Sequence, residues 1–284
     1  MNKKQLILLC MLAAGGSIQA QQWPDAPAEA RPGTRWWWLG SAVDEKNLTY
    51  NLEEYARAGM GAVEITPIYG VQGNDANDIQ FLSPRWMEVL KHTQAKGKRT
   101  GIEIDMNTGT GWPFGGPEVS IEDAASKAIF QTYDIEGGQE IVQDINVTDK
   151  KQQPYSVLSR VMAYDENGRC INLTSHVRKD KLEWKAPAGK WKVIALYNSK
   201  TRQKVKRAAP GGEGYVMNHL SKTAVKNYLS RFDRAFKSSK TSYPHTFFND
   251  SYEVYQADWT EDFLDQFARR RGYKLEEHFT EFLD

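Results

Sequence analysis

The sequence predicts an α/β fold, a partial (β/α)8 TIM-type barrel of about four strand-helix units, interrupted by an antiparallel, β-sandwich-like insertion. Two observations predict this fold. Strand-forming runs alternate with amphipathic helical segments before residue 117 and after residue 211, which is typical of a parallel sheet with helical crossovers. Between these parts apolar and polar residues alternate, and Asn167-Gly168 is a hairpin signal.

The first two strand-helix units have strong local signals. The run 35–39 (RWWWL) predicts a strand, and Asp44 can cap the helix that follows. Residues 62–68 (AVEITPI) predict the second strand. Ser83 and Pro84 then supply an N-cap and a proline at the first position of the second helix.

The third predicted strand, residues 100–107 (TGIEIDMN), carries apolar side chains on one parity and Glu103, Asp105 and Asn107 on the other. Parallel strands with helical crossovers are usually apolar on both faces. The polar parity therefore favours a barrel interior or mouth that handles polar ligands.

A fourth strand is predicted at residues 246–248, and Asp250 and Glu253 follow it. Asp258 and Glu261 have the spacing of a capping box, so the next helix is predicted to begin there. Acidic residues at the C-terminal ends of barrel strands are the usual location of catalysis. Glu253 is therefore the predicted catalytic residue.

The chain divides into five predicted segments. They are a signal peptide (1–20), a lead-in without regular structure (21–33), the first part of the barrel (34–117), the inserted β domain (118–210) and the continuation of the barrel (211–284). The basic run Lys200–Arg207 is interpreted as a solvated linker returning from the insertion. About 170 residues remain for a barrel that typically needs about 250, so the chain is predicted to end before the barrel closes, as the front of a longer protein.

The first 20 residues predict export to the periplasm or the extracellular space. Lys3 and Lys4 precede an apolar run and a cleavage site after Ala20, the order of a signal peptide. The apolar run is too short to span a bilayer, so no transmembrane segment is predicted. Cys10 lacks the preceding small residues of a lipid attachment site, and Cys170 is the one cysteine that would remain.

The charge balance argues against nucleic acid or anionic lipid as a partner. The chain has 37 basic and 36 acidic residues, so it offers no general electrostatic attraction to a polyanion. An uncharged ligand such as a carbohydrate suits this composition, and the sequence assigns no oligomeric state.

Hydrolysis of a glycosidic bond needs two carboxyl groups, one to protonate the leaving oxygen and one to activate water or attack carbon. Besides Glu253, six residues in or after strands are predicted to bind substrate: Glu64, Asp105, Asn107, Asp250, Trp37 and Trp112. Indole faces can stack on sugar rings. The core is the favoured interpretation for Trp37 and Trp259, whereas Trp112 lies in a loop after a strand, where a ligand can reach it. The carboxylates can equally be caps or ion-pair partners.

Other chemistries have weaker signals. Gly109, Gly111 and Gly115 do not have the spacing of a phosphate-binding loop, and Pro113 removes an N–H donor there. The five histidines show no zinc-binding spacing. The carboxylates could serve as calcium ligands, but no spacing specifies such a site, and no metal ligands are assigned.

Four segments together resemble the N-terminal part of the catalytic region of the α-L-rhamnosidases of glycoside hydrolase family 106: RPGTRWWWLG, AGMGAVEITPIYG, GIEIDMNTGTGWPFGGP and FFNDSYEVYQADWTEDFLDQFARRRGY. The resemblance implies a barrel interrupted by β domains and inverting cleavage of terminal α-L-rhamnosyl linkages of plant or microbial polysaccharides. It also implies a calcium ion near the active site. The alternatives are a glycosidase of another sugar specificity and a non-catalytic carbohydrate-binding relic.

Overall fold

The computed structural model describes residues 26–284, so the predicted signal peptide, Cys10 and the start of the lead-in lie outside the described residues. The helices are α1 (Glu45–Arg57), α2 (Pro84–Thr100), α3 (Lys222–Ser239), α4 (Phe263–Arg271) and α5 (Phe279–Leu283). The strands are β1 (Gly33–Leu39), β2 (Ala62–Ile68), β3 (Glu103–Asn107), β4 (Gly115–Gly116), β5 (Ser126–Glu136), β6 (Glu140–Asp144), β7 (Val157–Asp165), β8 (Cys170–Asn172), β9 (Val177–Arg178), β10 (Lys181–Lys185), β11 (Lys190–Lys200), β12 (Tyr215–Val216) and β13 (Phe247–Phe248). None of the helices in this range is both long and apolar enough to cross a membrane.

Four parallel strands form the sheet that carries the candidate site, in the order β1-β2-β3-β13. The predicted caps form: the carboxylate of Asp44 accepts the backbone N–H of Asn47 at 2.9 Å, and the hydroxyl of Ser83 accepts that of Trp86 at 3.2 Å. Both bonds satisfy donors that the first helical turn leaves free. Helices α1 and α2 therefore begin where the sequence predicts.

Helices α1, α2 and α3 cover one face of this sheet. The buried side chains Trp38, Ile65 and Met106 of β1, β2 and β3 pack with Trp86 of α2 and Phe232 of α3. The indole N–H of Trp86 is satisfied by the hydroxyl of Ser41, at 3.0 Å. This apolar layer fixes the strands, and thereby the directions of the side chains on the opposite face.

The opposite face of the sheet is open in the described part of the chain. Trp37 and Leu39 of β1 point to this face and are 43% and 42% exposed. The four strands form an open sheet, and residues 26–284 form no closed barrel. The α/β class and the parallel sheet are confirmed, whereas closure into a TIM-type barrel stays a prediction.

The insertion is a pair of antiparallel sheets, β5-β11-β7-β8 and β6-β10-β9. Val161, Leu182 and Val193 are fully buried in the layer between them, which confirms the sandwich-like packing. The predicted hairpin at Asn167-Gly168 joins β7 to β8. The two connections to the insertion lie side by side, since β4 pairs with β12 just outside it.

The predicted capping box at Asp258 and Glu261 is wrong. Asp258 Oδ1 accepts the backbone N–H of Ala128 in β5 at 3.0 Å, and Glu261 Oε1 pairs with Lys200 Nζ at 2.7 Å. Helix α4 therefore begins later, at Phe263. Both carboxylates are used in tertiary contacts, which is why they do not cap the helix.

The C-terminal segment packs on the insertion instead of on the parallel sheet. Trp259 is 3% exposed, and it shares a buried cluster with Ile194 and Leu196 of β11 and with Leu264 of α4. The apolar stripe of α4 thus covers the outer face of the sheet that contains β11.

Candidate functional site

Arg35 of β1 is the centre of a polar cluster on the open face of the parallel sheet. Its guanidinium lies 3.2 Å from Glu64 Oε1 (Nε) and 2.8 Å from Asp250 Oδ1 (Nη1). Glu64 also accepts the hydroxyl of Thr66 at 2.8 Å. Because β1 and β2 pair with Arg35 opposite Glu64, the sheet register dictates the first contact, while the loop after β13 brings Asp250.

Two aromatic rings flank the same guanidinium. The ring centroids of Trp37 and Phe248 are each 5.2 Å from the guanidinium carbon of Arg35, within the range of cation–π attraction. Trp37 is therefore an exposed wall of the cluster and not a core residue. The core interpretation is wrong for Trp37 and confirmed for Trp259, which is buried.

The predicted residues of β3 are placed differently from one another. Asp105 Oδ1 accepts the backbone N–H of Thr246 at 2.9 Å and lies 3.1 Å from His245 Nδ1, so this oxygen anchors the start of β13. Asn107, one residue pair further along the strand, is completely buried. Neither its side-chain oxygen nor its nitrogen has a hydrogen-bond partner among residues 26–284.

Such unpaired polar atoms are costly, about 1–3 kcal/mol each, and they tend to mark functional positions. The loop after β13 adds two more, Asn249 Oδ1 and Ser251 Oγ. The C-terminal ends of β3 and β13 thus offer hydrogen-bonding groups that the described residues do not use.

The predicted catalytic residue Glu253 lies in the same loop, with an exposed side chain. Its backbone is held by Gln203: the side-chain amide donates to Glu253 O at 2.9 Å and accepts the N–H of Tyr255 at 2.8 Å. Within the described residues, no ion pair or side-chain hydrogen bond engages the Glu253 carboxylate. The loop backbone is fixed while this carboxyl group stays accessible.

Trp112 is half-buried in the loop after β3. Its backbone exchanges two hydrogen bonds with Lys206, at 3.0 and 2.8 Å. The segment 203–207 therefore runs across the ends of β2 and β3. The side chains of Lys204, Lys206 and Arg207 are exposed, as the interpretation as a solvated linker predicts, but the backbone of the segment is held by the loops after these strands. Lys200, at the end of β11, has a side chain that is only 14% exposed, which corrects the same interpretation.

The loop carrying Glu253 also contacts a half-buried histidine. Burial lowers the pKa of His219, whose ring centroid lies 5.0 Å from that of Tyr252. A neutral ring in this position packs against the loop without adding charge.

Four residues of this site are not predicted by the sequence: Arg35, Gln203, Lys206 and Tyr255. Arg35 could have been predicted, because a single arginine within an otherwise apolar strand needs an anionic partner. Gln203 has no such signal, since its partners are 50 and 52 positions away.

The carboxylates of the site are already engaged by other groups, which bears on the calcium ion that the resemblance implies. Glu64 and Asp250 share one guanidinium, and Asp105 binds a backbone N–H and His245. No group of three or more His, Cys, Asp or Glu side chains in this part of the chain could hold a metal ion. These residues alone do not fit a calcium ion, which needs six to eight oxygen ligands.

Two carboxyl groups meet on the open face of the sheet. Glu64 and Asp250 are held in position by Arg35, whereas Glu253, three residues after Asp250, is free to contact a ligand. Hydrolysis of a sugar linkage requires two carboxyl groups, and these segments supply both fixed and accessible ones.

Comparisons with known proteins agree with this chemistry. A rhamnosidase structure from Novosphingobium sp. PP1Y superposes with a TM-score of 0.67 at 16% identity, over 90% of this chain and 42% of that chain, which shows a shared fold. A protein of Formosa agariphila with the name "Putative beta-glucuronidase" is 26% identical over 88% of this chain. This chain spans only 25% of that relative's length. The sequence profile of the α-L-rhamnosidases, glycoside hydrolase family 106, matches residues 24–161 and 146–280, and the chain belongs to this family.

Proposed function

We propose that this glycosidase hydrolyses terminal α-L-rhamnosyl linkages of plant or microbial polysaccharides with inversion, and that Glu253 is one of its two catalytic carboxyl groups. The observation that supports the proposal is the accessible carboxyl group of Glu253 in the loop after β13, three residues from Asp250, which Arg35 holds. Its accessible carboxyl group can meet a glycosidic oxygen or a water molecule, while the neighbouring carboxylates are held by Arg35.

In this proposal the sugar ring lies against Trp37, and its hydroxyl groups reach the carboxylates bound by Arg35. Inversion requires a water molecule between the sugar and the second carboxyl group, with the two carboxyl groups about 6.5–9.5 Å apart. Asp250 and Glu64 are the described candidates for that second group. Calcium remains a prediction of the resemblance, and no step of the proposal depends on it.

The test is a panel of aryl glycosides with the purified protein. We expect hydrolysis of the α-L-rhamnoside, with β-L-rhamnose as the first product seen by NMR. Glu253→Gln should lower kcat by about a hundredfold or more, because general acid or base catalysis contributes about that much. Glu166→Gln, at the exposed hairpin between β7 and β8, is the matched control and should leave kcat unchanged.

A loss of less than about tenfold in Glu253→Gln would show that this residue is neither the acid nor the base. Binding of rhamnosides without release of sugar would support the non-catalytic alternative.

A second candidate is hydrolysis of glucuronides, which the name of the Formosa agariphila relative favours. The same panel decides between the two. Cleavage of the aryl β-D-glucuronide but not of the rhamnoside would overturn the first choice.

A further inference from the structure

Two adjacent cations, Lys206 and Arg207, lie beside the candidate site and are held by aromatic rings. Lys206 Nζ is 4.7 Å from the ring centroid of Tyr255 and 3.3 Å from its hydroxyl. The guanidinium carbon of Arg207 is 5.1 Å from the ring centroid of Tyr69. Both tyrosines are exposed, Tyr69 by 43% and Tyr255 by 62%. We call these four residues the cationic rim.

The cations of the rim have no carboxylate partner in the described part of the chain. Other cations, such as Arg35, Lys200 and Arg234, form ion pairs with Glu or Asp, whereas no ion pair within residues 26–284 includes Lys206 or Arg207. Lys206 Nζ donates one hydrogen bond to the Tyr255 hydroxyl. A ring face attracts a cation but accepts no conventional hydrogen bond, so the other N–H donors of Lys206 and those of Arg207 stay available to a ligand.

The backbone of the rim is fixed to the ends of the parallel strands. Arg207 O accepts the N–H of Tyr69, just after β2, at 3.0 Å. Lys206 is paired with Trp112, after β3, through both backbone groups. A Cβ at Gly111 would overlap the backbone oxygen of Lys206, so this glycine allows the close approach. The cations therefore lie at a defined position and not on a mobile linker.

The two ends of the rim join the same loops that carry the candidate site. Tyr255 is two residues from Glu253, and Gln203 holds both residues. Tyr69 follows β2, which carries Glu64. A ligand that reaches Glu253 thus passes close to exposed tyrosine faces and two unpaired cations. The chain as a whole is nearly neutral, so this positive charge is a local feature.

We propose that the cationic rim binds the anionic group of an acidic saccharide. The ammonium and guanidinium groups match a carboxylate of a uronic acid unit or a sulfate ester, while the tyrosine faces can stack on the sugar ring. The proposal deepens the proposed function, because it places the acidic unit in the substrate that the glycosidase site acts on.

The test is titration calorimetry with three probes that share one ring: methyl β-D-glucuronide, methyl β-D-glucoside and methyl β-D-glucoside 6-sulfate. We expect the glucuronide to bind about tenfold more tightly than the glucoside, since each exposed ion pair contributes up to about fivefold. The preference should weaken as the salt concentration rises. The sulfate probe distinguishes the two sources of negative charge.

The double variant Lys206→Gln/Arg207→Gln should lose the preference for the charged probes and retain the affinity for the glucoside. Lys206→Arg/Arg207→Lys should keep the preference, since it conserves the charge. The matched control is Lys190→Gln/Lys192→Gln on β11, two exposed cations of the insertion, and it should behave like the wild type.

Equal affinities of the wild type for the glucuronide and the glucoside, or an unchanged preference in the double variant, would overturn this inference. Its failure is distinguishable from that of the proposed function. Rhamnoside hydrolysis without a preference for the anionic probes would refute only anion binding by the cationic rim. A preference for the anionic probes without rhamnoside hydrolysis would refute only the proposed reaction.

Discussion

Gln203 holds the backbone of the loop that carries Glu253, and its replacement by methionine removes that support while conserving side-chain length. Gln203 Nε2 donates to Glu253 O at 2.9 Å, and Gln203 Oε1 accepts the Tyr255 N–H at 2.8 Å. Each neutral hydrogen bond contributes about 0.5–1.5 kcal/mol net, so Gln203→Met should make local opening of the loop easier by about 1–3 kcal/mol.

The assay is amide hydrogen exchange followed residue by residue. At about 1.4 kcal/mol per tenfold, a loss of about 2 kcal/mol accelerates exchange of the Tyr255 amide by about thirtyfold. Gln203→Glu separates the two bonds, since a carboxylate still accepts from Tyr255 but no longer donates to Glu253. That variant should therefore keep most of the protection of the Tyr255 amide.

The matched control is Gln143→Met, because the side-chain amide of Gln143 bonds only to the neighbouring Asp144 O. It should leave exchange at Tyr255 unchanged. Wild-type protection of the Tyr255 amide in Gln203→Met would refute the argument that this side chain positions the loop.

Three further predictions concern the joint between the insertion and the rest of the chain. Lys200→Met should lower the free energy of unfolding by about 2–3 kcal/mol in urea titrations. The reason is that the largely buried Lys200 Nζ donates hydrogen bonds to Glu122 O, Ser126 Oγ and Glu261 Oε1 at 2.7–2.9 Å. A change below about 0.5 kcal/mol would contradict this prediction. Burial alone raises the pKa of Glu261, but the hydrogen bond and charge of Lys200 outweigh burial and lower this pKa below its usual 4.5. The pair therefore stabilises the protein above pH 4.5 by less than about 1 kcal/mol, as half of the carboxylate is exposed. This contribution is lost as the pH falls through the folded-state pKa, so the difference in urea midpoint between wild type and Glu261→Gln should shrink below pH 4.5; a constant difference would count against the pair. Gly111→Ala should lower the free energy of unfolding by more than about 2 kcal/mol, because Gly111 has φ +53° and a methyl group there meets the backbone of Lys206. An unchanged thermal midpoint would show that the loop after β3 and the segment 203–207 can separate freely.

Much of the fold could be predicted because its signals are local. The caps at Asp44 and Ser83 form as predicted, and strand β2 has the predicted bounds, Ala62–Ile68. The turn at Asn167-Gly168 follows from the backbone preferences of its own two residues. Each of these signals lies within a few positions of the structure that it specifies.

The start of α4 shows where local signals fail. Asp258 and Glu261 have the spacing of a capping box, yet Ala128 and Lys200, more than 60 positions away on the insertion, bind these side chains instead. These tertiary contacts bind the two carboxylates that would otherwise cap the helix. The same sequence spacing is therefore compatible with either outcome.

The sequence by itself determined the polar residues in and after the strands, including Glu64, Asp250 and Glu253, because Glu64 lies on the polar parity of a predicted strand and the other two follow one. Only the tertiary structure decided that Arg35 joins the first two and that Gln203 fixes the third. It also decided that Lys206 and Arg207, which resemble a solvated linker in the sequence, lie beside the site. The physical reason is that these contacts join segments far apart in the chain, whose relative positions follow from sheet register and core packing and leave no local pattern.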